Sequence, residues 1–160
     1  MKRHHRSLFA VGAAILSLVG LHSLALPNSA RAMDGDVRAG ILPDADQVAI
    51  GGGVLTSMGN TGRWYFNPNV EVAMGNHRDV VHMSGDFHYD LNEGSGPSFW
   101  VGGGPAVLFV NREEGADDTD LGVNVLTGVG AKSGQVRPFA QLRGTVADES
   151  QVTIAGGIRF

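Results

Sequence analysis

The chain has 160 residues, with 24 glycines and no cysteine, and a formal net charge of −4 at pH 7. The absence of cysteine excludes a fold held together by disulfides. An acidic chain is also a poor partner for nucleic acid, because that binding depends on Lys and Arg neutralising phosphates.

The first 32 residues have the order of a secretory signal peptide. A basic start, Met1–Arg6, precedes an apolar stretch, Leu8–Leu26, and the small-residue pattern Ala30-Arg31-Ala32 follows a proline break. The alternative is a retained anchor, because the apolar stretch is almost long enough to span a bilayer. The break and the cleavage pattern favour cleavage after Ala32. The predicted leader holds four basic residues and no acids, so the rest of the chain has 8 basic and 16 acidic residues, a net charge of −8.

Residues 33–160 are predicted to form one domain of β-strands. Many glycines interrupt apolar segments, where each costs a helix about 1 kcal/mol relative to alanine. The dominant period is two, which is typical of strands. Turn-rich stretches separate eight predicted strands, at 36–43, 47–57, 64–75, 80–91, 98–110, 121–131, 136–147 and 151–160. The first is short and weakly patterned, so the strand number is open by about two.

Apolar and polar residues alternate most clearly in the fourth segment. Val81, Met83 and Phe87 share one face, whereas His82 and Asp86 lie on the other. This pattern fits a soluble barrel that carries an apolar ligand, with apolar residues inside. It fits equally a membrane barrel, with apolar residues facing lipid and polar residues facing the lumen.

Three features favour the membrane barrel. The segments have about 10–12 residues, close to the 9–11 that a tilted strand needs to cross the hydrocarbon. The last residue is Phe160, preceded by apolar residues at alternate positions. Most aromatic residues are predicted to lie near one end of the barrel, as an aromatic girdle does: Trp64, Phe66, Phe87, Tyr89, Phe99, Trp100, Phe139 and Phe160.

A final strand of alternating apolar residues that ends in Phe160 resembles the signal by which the barrel-assembly machinery recognises outer-membrane barrels. The segments Arg63–Glu71, Trp100–Pro105, Asp118–Asn124 and Val136–Phe139 are similar to parts of small bacterial outer-membrane β-barrel proteins of the OmpA/OmpX/OmpW-like class. The resemblance implies an all-β fold, an eight-stranded antiparallel up-and-down transmembrane β-barrel. It also implies a Gram-negative outer-membrane location among lipids and lipopolysaccharide. We expect a monomer. The class defines no common catalytic site.

Three prolines lie inside predicted strands: Pro68, Pro105 and Pro138. Proline lacks the N–H that a sheet ladder uses, and a closed barrel has no free edge to accommodate it. We therefore expect bulges or strand ends at these positions.

The predicted inward face carries acids and bases together. Because an eight-stranded barrel is just wide enough for side chains to fill it, we expect these charges to pair and to plug the lumen. A narrow solute pore is the alternative. The predicted polar network consists of Arg38, Glu71, Asp86, Arg137 and Arg143.

Few residues suggest other chemistry. His82 and Ser84 share a strand face, which raises the hypothesis of a lipid A-modifying enzyme, but a general base must reach the serine proton. His77, His82 and His88 lie on or near one predicted strand, but His82 and His88 are too far apart to hold one metal by themselves. The acidic loop Asn111–Asp120 matches no standard calcium-loop spacing. We predict no enzyme activity, no metal and no cofactor, and a structural or interaction role in the membrane.

Overall fold

A computed structural model describes residues 33–75, 78–112 and 118–160. The predicted signal peptide, 1–32, lies outside the described residues. The middle of the acidic loop, 113–117, and the pair at 76–77 lie outside them as well, so the calcium hypothesis concerns residues that the structure does not describe.

Eight strands make up the described part of the chain, and each has between 9 and 15 residues. A short 3-10 helix, Pro43–Ala45, joins the first two strands. The strands are β1 (Met33–Leu42), β2 (Gln47–Met58), β3 (Trp64–Met74), β4 (Arg78–Asp90), β5 (Ser98–Arg112), β6 (Asp118–Gly130), β7 (Arg137–Val146) and β8 (Gln151–Arg159).

The strands form one closed antiparallel barrel in chain order. Each strand pairs with the next, and β1 closes the barrel by pairing with β8 from Asp36↔Arg159 to Ile41↔Ile154. The prediction of an eight-stranded up-and-down barrel is therefore confirmed. The weakly patterned first segment is a full strand of 10 residues, paired on both sides.

The barrel has two distinct ends. Met33 and Phe160 lie at one of them, together with the β2–β3, β4–β5 and β6–β7 turns, and we call it the terminal end. The opposite, distal end carries the other four connections. In the β2–β3 turn, Gly59 and Gly62 have φ values of 69° and 65°, a conformation that glycine adopts without the steric cost of a Cβ.

Apolar side chains point away from the barrel and polar side chains point into it. In β8, Val152, Ile154 and Ile158 are exposed, whereas Gln151 and Thr153 are buried. The same inversion holds in β3, where Glu71 is buried between two outward valines. The predicted alternation is thus present, with the faces oriented as in a membrane barrel. Among the described residues, no helix has the length and apolar character needed to traverse a bilayer.

The prolines are accommodated differently from our expectation. Pro138 lies next to the start of β7, as predicted, but Pro68 and Pro105 lie within strands and no bulge forms. The register is the same on both sides of Pro68, since Gly53↔Asn69 and Thr56↔Phe66 belong to one series. That series puts Val54 opposite Pro68, and the Asn67 side-chain amide donates to the Val54 carbonyl at 3.1 Å. A side chain thus replaces the donor that proline lacks.

Two aromatic residues do not belong to the predicted girdle. Trp100 and Phe139 are 2% and 6% exposed, and both point into the barrel. The girdle prediction used only the position of each residue along its strand. It ignored the alternation of side chains between the two faces, which puts Trp100 on the face opposite to Phe99. Trp64, Phe87, Phe99 and Phe160 are exposed on the outside.

Candidate functional site in the barrel interior

An ion-pair network occupies the middle of the barrel. Arg143 on β7 pairs with Glu71 on β3 through two bonds, Nη1–Oε1 at 2.8 Å and Nη2–Oε2 at 2.7 Å. Arg38 on β1 donates to both carboxylate oxygens of Asp36 at 2.6–2.8 Å, and its Nη1 lies 3.5 Å from Glu71. These four side chains are nearly inaccessible to solvent, so each charge is balanced by an oppositely charged side chain and not by water.

Amide and hydroxyl groups extend the network around the wall. Asp86 accepts hydrogen bonds from Asn69 Nδ2 at 3.0 Å and Asn124 Nδ2 at 2.8 Å, and the Ser84 hydroxyl lies 3.0 Å away. Thr145 donates to Asn124. Asn67 joins this group to the ion pairs, since it donates to Asp36 and accepts from Arg38. The network therefore connects β1, β3, β4, β6 and β7.

The structure brings together four of the five predicted network residues: Arg38, Glu71, Asp86 and Arg143 share this buried layer. Arg137 lies apart from them. It is half-buried near the terminal end and pairs with Asp34 at 2.6 Å.

An apolar cluster lies inside the barrel at the distal end. Its members are small or branched side chains on five strands, and each is at most 4% exposed: Leu42, Ala49, Ala73, Val80, Ala106, Leu108 and Val110. The interior on the β1–β5 side is thus apolar toward the distal end, beside buried Gln47, Asp120 and Gln151, and it is polar in the middle.

Toward the terminal end, an aromatic layer surrounds a further arginine. Trp100 contacts Phe139 edge-on at 6.3 Å, and His88 stacks on Trp100 with an interplanar angle of 5°. The Arg159 guanidinium lies 4.5 Å from the Trp100 ring centroid and 4.6 Å from that of Phe139. Such positions are favourable cation–π contacts. Gly128 lies opposite Trp100 and leaves the space that the indole occupies, since a Cβ there would lie 2.3 Å from the ring.

A cavity of about 940 Å³ lies between this layer and the terminal end. Its wall includes Tyr65, His88, Trp100 and Arg159, and its rim comes from the three turns at that end. Three cations of the lining are paired: Arg63 with Glu93, Lys132 with Asp90, and Arg137 with Asp34. The volume is within the range of small-molecule sites, about 300–1,000 Å³.

The geometry does not assemble the hypothetical His82–Ser84 pair. Both ring nitrogens of the buried His82 are without a hydrogen-bond partner, and the Ser84 hydroxyl contacts Asn69 and Asp86. Among the described histidines, none is hydrogen-bonded to Ser84 as an acceptor of its proton. Within 33–75, 78–112 and 118–160, no cluster of three or more His, Asp or Glu side chains is arranged to hold a metal.

Three residues that contribute to the interior contacts were not among the predicted lumen residues: Asp36, Trp100 and Arg159. A signal existed for each. Asp36 is two residues from Arg38 and so shares its face. Arg159 alternates with Ile158 and Phe160 in the last strand, and Trp100 is in phase with Gly102 and Gly104.

Comparisons with solved structures identify the fold. The N-terminal β-barrel domain of Pseudomonas aeruginosa OprF superposes with a TM-score of 0.66 at 14% identity, covering 80% of this chain and 95% of that one. Neisserial surface protein A gives 0.60 at 14% identity, covering 79% and 92%. A de novo designed transmembrane β-barrel gives 0.56 at 11% identity, covering 84% and 98%. No protein-family model matches the chain, and no curated protein does.

These likenesses define the class of fold. The described chain has the eight-stranded up-and-down architecture of small outer-membrane barrels, as the sequence resemblance implied. At 11–14% identity the comparisons establish the fold alone, so the role of the barrel must be argued from its own surface and interior.

Proposed function

We propose that this protein is an integral outer-membrane β-barrel whose lumen is closed by its own side chains and whose role is structural or interactive. The single observation that carries the proposal is the inverted distribution of residues. Exposed Val125, Leu142 and Ile154 are among many apolar side chains on the outer surface, while charged Glu71 and Arg143 are buried inside. In water this arrangement would expose a continuous apolar surface; in a bilayer it puts each face in a favourable environment.

The interior supports a closed lumen. A solute that followed the barrel axis would have to displace the distal apolar cluster and separate the Glu71–Arg143 pair. A barrel of eight strands leaves an interior that side chains can fill. The network also ties five strands to each other, so the same side chains that block a path stabilise the closed sheet.

The last strand supports the proposed recognition by the assembly machinery. Phe160 is 60% exposed, on the outward face, and its backbone pairs with Gly35 through Phe160 N–Gly35 O at 2.9 Å and Gly35 N–Phe160 O at 3.0 Å. The aromatic ring is therefore free to contact lipid or another protein while the strand closes the barrel. Closure leaves no unpaired sheet edge for a second copy, which supports a monomer.

Conductance in planar bilayers tests the closed lumen. The purified barrel, shown to be folded by a heat-dependent shift in gel mobility, should insert without discrete conductance steps. Steady single-channel steps would overturn the closed lumen and favour the narrow pore, for which the terminal cavity is the favouring observation.

Cell fractionation tests the location separately. The folded protein should be recovered with outer-membrane lipid and lipopolysaccharide. Recovery in the soluble periplasmic fraction would overturn the membrane proposal and favour a carrier instead.

A further inference from the structure

Arg159 is a buried cation that forms no ion pair with a described acid, because Asp36, which lies opposite it in the β1–β8 register, pairs with Arg38 instead. It is 7% exposed, and none of its side-chain nitrogens makes a hydrogen bond or ion pair with any described residue; its Nε is buried and unpartnered. Its contacts are the two aromatic rings. Cation–π contact offsets part of the loss of water but leaves the N–H donors of the guanidinium unused.

Two neighbours of Arg159 also have unused polar atoms. Trp100 Nε1, which can only donate, and His88 Nε2 are buried and have no hydrogen-bond partner. Buried polar groups are nearly always paired. Other interior side chains, such as His82 and Gln141, also have unpartnered atoms, but these three groups lie together beside one cavity. All three side chains line the terminal cavity.

The charges of the cavity lining identify the chemistry that is missing. Asp34, Asp90 and Glu93 are each matched by a cation, and Arg159 is the cation left over. A ligand with one negative charge would balance the lining and would accept hydrogen bonds from the guanidinium and the indole. Arginine forms paired bonds with carboxylates and phosphates, which makes these the best-matched groups.

We propose that the terminal cavity is a binding site for a small ligand bearing an acidic group, a carboxylate or a phosphate, which pairs with Arg159 beside Trp100 and His88. The aromatic wall formed by Trp100 and Tyr65 suits an organic body attached to that group. The rim of the cavity is formed by the turns at the terminal end of the barrel, so a dissolved ligand has direct access. An acidic lipid headgroup has the same chemistry and is the other possible source.

Trp100 provides a direct signal for the test, because the chain has just two tryptophans. In Trp64→Phe, all tryptophan emission comes from the residue that contacts Arg159. This variant is folded into phosphatidylcholine vesicles and titrated with benzoate and, separately, with inorganic phosphate. We expect a saturable change in emission with a Kd of about 1 mM or lower for at least one probe. No saturable change with either probe, in these vesicles or in those described next, would overturn the proposal.

Lipid composition distinguishes the two sources of the acidic group. If a headgroup occupies the site, vesicles that contain phosphatidylglycerol will change the emission without added benzoate and will weaken its titration. If a dissolved ligand is the occupant, phosphatidylglycerol will leave the benzoate titration unchanged. Either result assigns the source.

Variants then assign the site to Arg159. In the Trp64→Phe background, Arg159→Gln should weaken binding about tenfold or more, and Arg159→Lys should weaken it less. The matched control is Arg78→Gln, which removes the same charge at the distal end, where Arg78 pairs with Glu149. Equal weakening by Arg78→Gln and Arg159→Gln would overturn the assignment. Because the titration of Trp64→Phe is itself a test, failure of Arg159→Gln to fold leaves the proposal falsifiable.

Discussion

Arg143 and Glu71 face each other across the interior of the barrel and form a two-bond ion pair at 2.7–2.8 Å between β7 and β3. These strands are not neighbours in the sheet, so the pair connects opposite parts of the wall. No surrounding water replaces either partner, because both side chains are at most 4% exposed.

Removal of one partner of this pair should destabilise the barrel strongly. Arg143→Met leaves Glu71 with Arg38 alone, at 3.5 Å, and we expect a loss of about 3–5 kcal/mol in the free energy of unfolding, measured with urea in vesicles. In the double variant Arg143→Met, Glu71→Leu, the loss of unfolding free energy should be smaller than the sum of the losses in the two single variants. The control is Arg63→Gln, which breaks an accessible pair with Glu93 and should cost about 0–1 kcal/mol. Equal losses in Arg143→Met and Arg63→Gln would contradict a buried network.

A charge in the middle of the outer face should be costly if lipid surrounds it. Leu142 is 46% exposed and lies beside Ile154 in the centre of the apolar surface. Leu142→Arg should lower the free energy of unfolding by about 2–4 kcal/mol in vesicles. Val136 is more exposed but precedes β7 at the terminal end, so Val136→Arg should cost about 1 kcal/mol or less. In a soluble barrel, both substitutions would be nearly neutral, and that result would count against the membrane assignment.

Gly128 should be intolerant of even one methyl group. A Cβ there would lie 2.3 Å from the Trp100 ring, so Gly128→Ala must move the indole or the strand at a cost of about 1–3 kcal/mol. Gly144 is the matched control in the next strand, because the nearest atom to its added Cβ is 4.0 Å away. Equal unfolding free energies for the two alanine variants would show that Trp100 does not pack on Gly128.

Asn67 should contribute more to the stability of the barrel than its neutral side chain suggests. It donates to the half-buried Val54 carbonyl opposite Pro68 and to buried Asp36, so Asn67→Leu leaves two acceptors without this donor. We expect a loss of about 2 kcal/mol or more, measured by urea unfolding. In the Pro68→Ala background the backbone regains an N–H, and the loss caused by Asn67→Leu should be smaller. An identical loss in both backgrounds would refute the compensation.

The periodicity of the sequence predicted the strands and which residues share a face. It did not predict which face is inward. That prediction also needed the strand lengths, the aromatic positions and the resemblance to outer-membrane barrels, and together these put Glu71 and Arg143 in the lumen. The alternation of side chains along a strand carries no information about partners across the barrel. The sequence therefore could not separate Arg137, which pairs with Asp34, from the central network. The Asn67–Val54 hydrogen bond could not be predicted from the sequence either, because it depends on the register between β2 and β3.

The membrane assignment depends on which face of the sheet contacts lipid, and the two tryptophans of the chain report on this directly. Trp64 is 48% exposed on the outside, and Trp100 is 2% exposed on the inside, both near the terminal end. Trp100→Phe and Trp64→Phe each isolate one of them in vesicles of phospholipid brominated near the top of the acyl chains. We predict strong quenching of Trp64 emission and much weaker quenching of Trp100. Quenching of Trp100 that equals or exceeds that of Trp64 would contradict the outward apolar face.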